Sequence, residues 1–387
     1  AEQLEFASIE KRRVVAAFDG GRISSDAGVL LLQRADQRLL MLDRLAQCFI
    51  DGRNPEAVEH SVRTLLGQRI FGMALAYEDV NDHEQLRSDP LFGAALGKLE
   101  SQRSDCEALA GKSTLNRLEL FPTEGVTRYQ KIRPDTQAIE RLLVDLFIEA
   151  YATAPEQIIL DLDATDDPLH GEQEGRFFHG YYGGYCYLPL YIFCGRHLLC
   201  AKLRTADIDG SAGAVAELER IVAQLRQAWP TVRIVLRGDS HFAREGLMHW
   251  CEHTQVDYVF GLAKNARLIR EIEDELFHAA LRSQQSGQSA RVFKDFRYAT
   301  LDTWSRERRV IGKAEHTPKG ANPRFIVTSL DAEAYPAQAL YEETYCARGE
   351  MENRIKEAQL DLFADRLSTH TFRGNQLRLW LSSFAYV

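Results

Sequence analysis

No stretch of this 387-residue chain approaches the ~20 consecutive apolar residues that a membrane-spanning helix needs. The opening Ala1-Glu2-Gln3-Leu4-Glu5 lacks the basic region and apolar core of a secretory signal. Cysteine is sparse and scattered, at 48, 106, 186, 194, 200, 251 and 346, with no CxxC pair. That spacing argues against a disulfide framework or a structural zinc site and predicts reduced thiols in a cytoplasmic chain. Positive charge is short as well: 47 Lys and Arg against 56 Asp and Glu leave −9, which does not announce a nucleic-acid binder. A phosphate loop is missing. Gly111-Lys112-Ser113-Thr114 ends like one, but the glycine required five positions earlier is Cys106. His249 and His253 stand one helical turn apart without further ligands nearby, so packing or surface roles are expected for them.

What the chain does have is an ordinary globular composition, 45% hydrophobic and 27% charged, at a length that allows two or three domains. Its most informative stretch is Ile158-Ile159-Leu160-Asp161-Leu162-Asp163-Ala164-Thr165-Asp166-Asp167. Apolar residues lead into a dense group of carboxylates, followed by the turn-formers Asp167-Pro168 and His170-Gly171. A buried strand that releases acids at its end presents oxygen ligands to a hard divalent cation such as Mg²⁺. Asp163 is the preferred first ligand. Asp161, two residues earlier on the same strand face, is its nearest competitor, and Asp166 and Asp167 are expected to shape the turn.

Taken in order, the chain begins with an extended lead-in and a strand at 13–18 before Asp19-Gly20-Gly21. Ser24-Ser25-Asp26 then caps a helical pattern reaching Leu45. Further helices are predicted at about 57–77, 82–86, 90–97, 113–120 and 135–151, so residues 1–155 read as a mostly helical region that could recognise DNA ends. From 157 the pattern turns to strands at 158–163, 185–194 and 197–205. An amphipathic helix at 211–229 follows, then a strand at 232–239 that again ends in an acid, Asp239. Next come a helix at 244–253, a strand at 257–262 and a helix from 264 to about 281. Strands at 290–301, 303–310 and 324–329 suggest a small β insertion spanning 282–332. Nine cations against four acids make 291–324 locally +5, a charged strand surface or a phosphate-facing patch. The chain is helical again from about 336 to 362 and from 374 to its end.

Three strands, a helix, a strand ending in Asp239 and a helix-strand-helix follow the order of a ribonuclease-H-like α/β fold. Its core would occupy 156–281, with the C-terminal helices at 333–387 carrying a third acid. At about 100° per residue, Tyr345, Arg348, Glu352 and Lys356 share one helical stripe, which favours Glu352 over its neighbours Glu342, Glu343, Glu350 and Glu357. Alone, Glu352 flanked by Arg348 and Lys356 is an ordinary charge-paired helix face. With two strand-end aspartates in fold order, a metal site is the better reading.

Tyr345-x2-Arg348-x3-Glu352 resembles the Y-R-E part of the signature of DDE transposases from bacterial insertion sequences. Asp163-Ala164-Thr165 is similar to their first-aspartate motif and Arg237-Gly238-Asp239-Ser240 to their second. Asp79-Val80-Asn81-Asp82-His83, Leu86-Arg87-Ser88-Asp89-Pro90, the segment Leu109 to Arg117 and the segment Tyr345 to Glu357 look like the insertion-sequence thirteen-eighty group. The related signature has a lysine seven positions after the glutamate; here that residue is Gln359, and Lys356 is the substitute cation on the same stripe. The resemblance implies a catalytic triad of Asp163, Asp239 and Glu352 holding two Mg²⁺ ions, with Mn²⁺ as a substitute. It implies DNA as partner, both the element's terminal inverted repeats and the target, with a homodimer synapsing two ends. It also implies phosphate contacts from Tyr345, Arg348 and Lys356. An insertion-domain aromatic can stack on a flipped base in such relatives; Trp304, set between Arg297 and the run Arg306, Arg308, Arg309, is the candidate, or else a residue packing in the β layer. The expected reaction is excision of the element and joining of its 3′-OH ends to target DNA. A nuclease without strand transfer and a catalytically silent DNA-binding protein are the alternatives.

Overall fold

The computed structural model describes residues 3–17, 24–102, 104 and 106–387, so Phe18 and the turn expected at Asp19-Gly20-Gly21 lie outside the described residues. The chain forms two units, divided between Thr136 and Gln137. The first is helical around short strand pairs. Gln3–Ile9 pairs with Arg12–Ala17 through a turn in which Glu10 and Lys11 take positive φ. Several of its motif residues serve as scaffolding. Asp79 and Asp82 form a reciprocal capping box, and Asp89 accepts from the backbone N–H groups of Leu91 and Phe92 to start the helix Pro90–Ala95. His83 is fully buried between Gln68 and Arg69, and burial followed by the Arg69 charge holds it down at about 3, so the ring is neutral. Arg69 in turn donates to Glu119 at 2.8 Å, with both side chains at 1% exposure or less.

The second unit starts with helix α1 (Thr136–Glu149, counted here from Gln137), whose Val144 and Phe147 belong to its core. Its strands are β1 (Gln157–Ala164), β2 (Asp167–Pro168), β3 (Phe177–His179), β4 (Gly184–Tyr187), β5 (Leu190–Cys194), β6 (His197–Lys202), β7 (Arg233–Gly238), β8 (Asp257–Leu262), β9 (Ala290–Tyr298), β10 (Arg308–Thr317) and β11 (Arg324–Thr328). Its further helices are α2 (Ala214–Ala228), α3 (Glu245–His253), α4 (Ala266–Glu271), α5 (Glu273–Ser286), α6 (Gly349–Leu360) and α7 (Phe372–Tyr386). One mixed sheet runs β6-β5-β1-β7-β8-β11-β10-β9. β1, β7 and β8 are mutually parallel, and the remaining neighbours along it are antiparallel.

Side-chain alternation with period two sorts the residues of the central strands between two faces. Ile158, Leu160 and Leu162 of β1 and Ile234 and Leu236 of β7 pack on one face with Leu218, Ile221, Leu247 and Met248 from α2 and α3. The opposite face is covered by the C-terminal helices. Val235 and Val259 meet Leu340 and Tyr341 there, while Tyr191 and Phe193 meet Met351, Ile355 and Leu379. Asp161 and Asp163, in step with Ile159, project onto this second face, as do Arg237 and Asp239 in step with Val235.

The structure departs from the sequence expectations where tertiary pairing overrides local pattern. The strand predicted over 185–194 breaks at Leu188-Pro189, since Pro189 has no N–H to donate; β4 pairs instead with β2 and β3 in a separate three-stranded sheet. The helix predicted over 264–281 is interrupted at Ile272 (φ −112°, ψ 22°). No strand covers 303–307; β10 begins at Arg308 and continues to Thr317. The β segments of the expected insertion form no sheet of their own. β11 pairs with β8, and β10 and β9 extend the same central sheet. The helix predicted over 336–362 is a succession of geometries: a short α turn, a π-helical run Leu340–Tyr345, a 3₁₀ turn Cys346–Arg348 and then α6.

Candidate active site

β1 and β7 run in parallel register with Asp161 beside Arg237 and Leu162 beside Gly238, so the next step places Asp163 beside Asp239. Asp161 is committed to Arg237. Arg237 grips it through Nε and Nη2 at 2.5 and 2.8 Å, and both side chains are buried. Arg237 also donates from Nη1 to the Thr344 carbonyl at 2.5 Å, tying the two aspartate strands to the helical run above them.

That run delivers Arg348 and Glu352. Arg348 donates from Nη2 to Glu352 Oε1 at 2.6 Å and from Nη1 to Asp163 Oδ1 at 3.5 Å. Desolvation works against its charge, but Asp163, Tyr345, Glu352 and Asp239 together raise its pKa, so one guanidinium senses all three acids. Asp163 keeps only 15% side-chain exposure, and burial, with the charges of Asp239 and Glu352, outweighs Arg348 and pushes its carboxyl up to about 6. Asp239 behaves oppositely. Burial raises it, but His241 wins through its backbone N–H at 2.9 Å and its ring Nδ1 at 2.8 Å, leaving the carboxyl below its ordinary value.

Tyr345 is placed by the π-helical run, not by the α stripe expected for it. A Cβ on Gly261 would fall 2.6 Å from its hydroxyl, 3.0 Å from Ser240 N and 3.2 Å from the Asp239 carbonyl carbon. The bare backbone of Gly261 therefore lets the Tyr345 hydroxyl approach the Asp239 segment. Two of the four alternative glutamates are engaged elsewhere: Glu342 pairs with Arg291 and Glu357 with Arg354. Gln359, where the resemblance implies lysine, donates to the Asp166 carbonyl and to Asp167 Oδ1 at 3.2 and 2.8 Å. Asp167 is fully buried there and its carboxyl is held well above the usual range, first by burial.

Among the described residues, no group of three or more His, Cys, Asp or Glu side chains converges as a ready metal cage. The donor set still fits a hard cation in kind. The residues that could hold one are the carboxylates of β1, the end of β7 and α6, with Arg348 opposing their charge.

Residues 6–387 match the family described as transposase DDE domain group 1. The chain belongs to this family. It is a DDE transposase. It is also similar to a piggyBac transposase synaptic complex with hairpin DNA, determined by cryo-electron microscopy. That similarity has 13% identity and a TM-score of 0.43 over 92% of this chain and 73% of that one. No curated protein matches. Among the described residues, no helix of the transposase is long and apolar enough to cross a membrane.

The remaining residues singled out in the sequence are dispersed. Lys356 is exposed on α6. Trp304 packs against the main core, edge-on to Tyr298 at 5.8 Å, with the Arg308 guanidinium over its ring. Arg308 and Arg309, expected to face phosphate, are turned inward at 3% and 5% exposure. Arg308 binds Glu245 and Glu252, Arg309 binds Asp295, and the better exposed Arg306 also reaches Glu252. The +5 of this stretch meets carboxylates that a local count omits: Glu245, Glu252, Glu275 and Glu342 all come from outside it. Sequence reasoning missed His241 and Arg237. The Arg-Gly-Asp-Ser-His string holds both, but their partners are decided by the turn after β7 and by the register with β1.

Proposed function

We propose that the transposase cuts and joins DNA at Asp163, Asp239 and Glu352, excising an insertion sequence of the thirteen-eighty group and transferring its 3′-OH ends to target DNA. The observation that carries this reading is that Arg348 bonds acids from two separate elements, Asp163 and Glu352, and feels the charge of a third, Asp239, which the strand register sets beside Asp163. The sheet order β6-β5-β1-β7-β8, with the parallel strands on one side of β1, supports reading this mixed sheet as a ribonuclease-H-like core.

The three carboxylates would hold two Mg²⁺ ions, with Mn²⁺ as a substitute, which when bound activate the attacking oxygen and offset charge on the leaving one. His241 keeps Asp239 ionised and fixed in rotamer. Arg348, displaced from the carboxylates, has the planar fork to take a phosphate bidentately, and Lys356 supplies a point charge further along α6. Tyr345 braces the Asp239 segment and offers its hydroxyl to the DNA end. Arg306 retains enough exposure to meet a phosphate; Arg308, Arg309 and Trp304 support the layer behind it. No Ser, Tyr or Cys nucleophile takes part. The helical first unit is assigned to end recognition, and two ends require two protomers.

The test is a cleavage and joining assay on end duplex with a target plasmid and Mg²⁺. Joined products are expected, and Asp163→Asn, Asp239→Asn and Glu352→Gln should each abolish them. Strand transfer by any of the three variants would overturn the assignment. Cut DNA without joined products would reduce the activity to that of a nuclease.

A further inference from the structure

On the sheet face that the C-terminal helices cover, three buried oxygens meet without a hydrogen-bond partner. Asp167 is fully buried, and its Oδ2 bonds nothing; only Oδ1 is taken, by Gln359 Nε2 at 2.8 Å. Tyr191 stands directly opposite Asp163 in the β1–β5 register, is 1% exposed, and its hydroxyl also bonds nothing. The third oxygen is Asp365 Oδ1. Phe363, at φ 59°, turns the chain back under α6, where Ala364 donates to the Ala358 carbonyl at 3.0 Å and joins the core cluster of Tyr191. That reversal carries Asp365 inward to 22% side-chain exposure, with the half-exposed Arg366 3.8 Å away. The charges that reach the Tyr191 hydroxyl are those of Asp167 and Asp365, so it lies near both. The charges that reach Asp167, from Asp365 and Asp166, are both negative. The acids acting on Asp163 are different ones, Asp239 and Glu352, so the two groups are separate.

We propose that Asp167, Asp365 and Tyr191 form a structural site for a hard divalent cation, separate from the three acids, that fixes α6 against the turn between β1 and β2. Burying a carboxylate without a compensating charge is heavily penalised. A shared proton needs two of the oxygens in hydrogen-bond contact, and no two of them are. A water molecule in their midst leaves two acids unneutralised. A cation answers both needs. Oxygen donors without nitrogen or sulfur select a hard ion, which keeps water in its remaining positions. The consequence is mechanical. Gln359 lies two turns after Glu352 on the same face of α6, and it donates to both Asp167 and the Asp166 carbonyl. An ion on Asp167 and Asp365 therefore holds both ends of the reversal after α6, and with them the helix that carries Glu352.

The experiment uses the full chain carrying Asp163→Asn, Asp239→Asn and Glu352→Gln, which removes the charges of the three acids. Mn²⁺ is titrated into it and followed by the loss of the free ion's electron-paramagnetic signal. One ion should bind, raise the melting temperature and slow amide exchange across α6. Adding Asp365→Asn should weaken that binding by at least the roughly 10- to 100-fold that an outer partner of a metal ligand is worth. Adding Asp167→Asn instead should abolish both the binding and the thermal shift. In EDTA it should raise the melting temperature, since an uncompensated buried acid is gone. No binding by the triple variant, or binding that both further substitutions leave intact, overturns the proposal. So does a thermal gain on acidification with none from Mn²⁺, which assigns the site to a proton. If Asp167→Asn does not fold, Asp365→Asn, at the more exposed side of the site, decides alone. A wild type and triple variant that bind the same single ion, lost with Asp167→Asn, would sink the two-ion reading of the three acids and leave this site standing.

Discussion

Arg237 and Asp161 form a buried two-point ion pair one pleat behind the Asp163–Asp239 pair, at 2.5 and 2.8 Å. The same guanidinium holds the Thr344 carbonyl, so one side chain connects the two aspartate strands to the π-helical run that leads into α6. Desolvation penalises both charges, and the Asp161 carboxyl is raised, first by burial, despite Arg237. The arrangement trades stability for position. Removing Arg237 alone, as Arg237→Met, should destabilise the fold by about 3–5 kcal/mol, since a bare carboxylate remains buried. The double variant Asp161→Leu/Arg237→Met should lose less than Arg237→Met in urea unfolding. It should still be slow in strand cleavage, because nothing then fixes Thr344.

As a ligand in the proposed site, Asp163 would link metal binding to pH. Its folded-state pKa of about 6 lies above the ordinary 3.8, so the folded protein holds a proton that the unfolded chain releases in between. The stability that Asp163 contributes is complete below 3.8, is lost as pH rises towards about 6 and is flat beyond it. A cation needs the ionised form. Calorimetric titration of Mn²⁺ should therefore show affinity rising through pH 6. Asp163→Asn should flatten that rise, and a metal-free protein whose affinity is indifferent to pH there would contradict the assignment.

Arg306 and Arg308 separate surface from interior. Arg308 has 2% side-chain exposure and serves two carboxylates, while Arg306 has 57% and shares one of them. Arg308→Ala should cost about 1–3 kcal/mol, since Glu245 and Glu252 lose their shared partner while Glu252 keeps Arg306 and Tyr258. Arg306→Ala should leave thermal unfolding nearly unchanged and weaken DNA binding, with a shallower salt dependence. A filter-binding series across salt concentrations, paired with melting curves, distinguishes them.

Gly261→Ala tests the packing around Tyr345. The new methyl would sit 2.6 Å from the Tyr345 hydroxyl and 3.0 Å from the Ser240 backbone nitrogen. Overpacking of this kind costs about 1–3 kcal/mol, and relief by backbone movement shifts Asp239. Cleavage should fall further than DNA affinity. Adding Tyr345→Phe, which removes the clashing oxygen, should recover part of the stability in a denaturant titration and not the cleavage rate.

Much of the second unit is legible because its signals are local. The alternation along 157–164, the apolar spacing of α2 and the strand at 257–262 are each written in a few consecutive residues. The misreadings share a cause. Pro189 ends a run that is apolar throughout, and whether the pieces join one sheet or two depends on partners far along the chain. The π-helical run at Leu340–Tyr345 is invisible to a 3.6-residue period, though it sets where Tyr345 and Arg348 arrive. The local excess of cations in 291–324 indicates charge without indicating direction.

By itself the sequence determined which residues could carry chemistry: acids at the ends of two strands and on one helix, with an arginine four positions before the glutamate. Spacing and alternation are properties of a short segment, and they survive in any fold that keeps the segment intact. Only the tertiary structure decided how those groups are used. It set Asp161 against Arg237 and left Asp163 facing Arg348, because parallel register joins positions 76 apart in the chain. It also turned Arg308 and Arg309 inward, because the carboxylates that neutralise Arg308 come from a helix some 60 residues away. Charge is a local property of sequence; burial, which determines what a charge does, belongs to the whole fold.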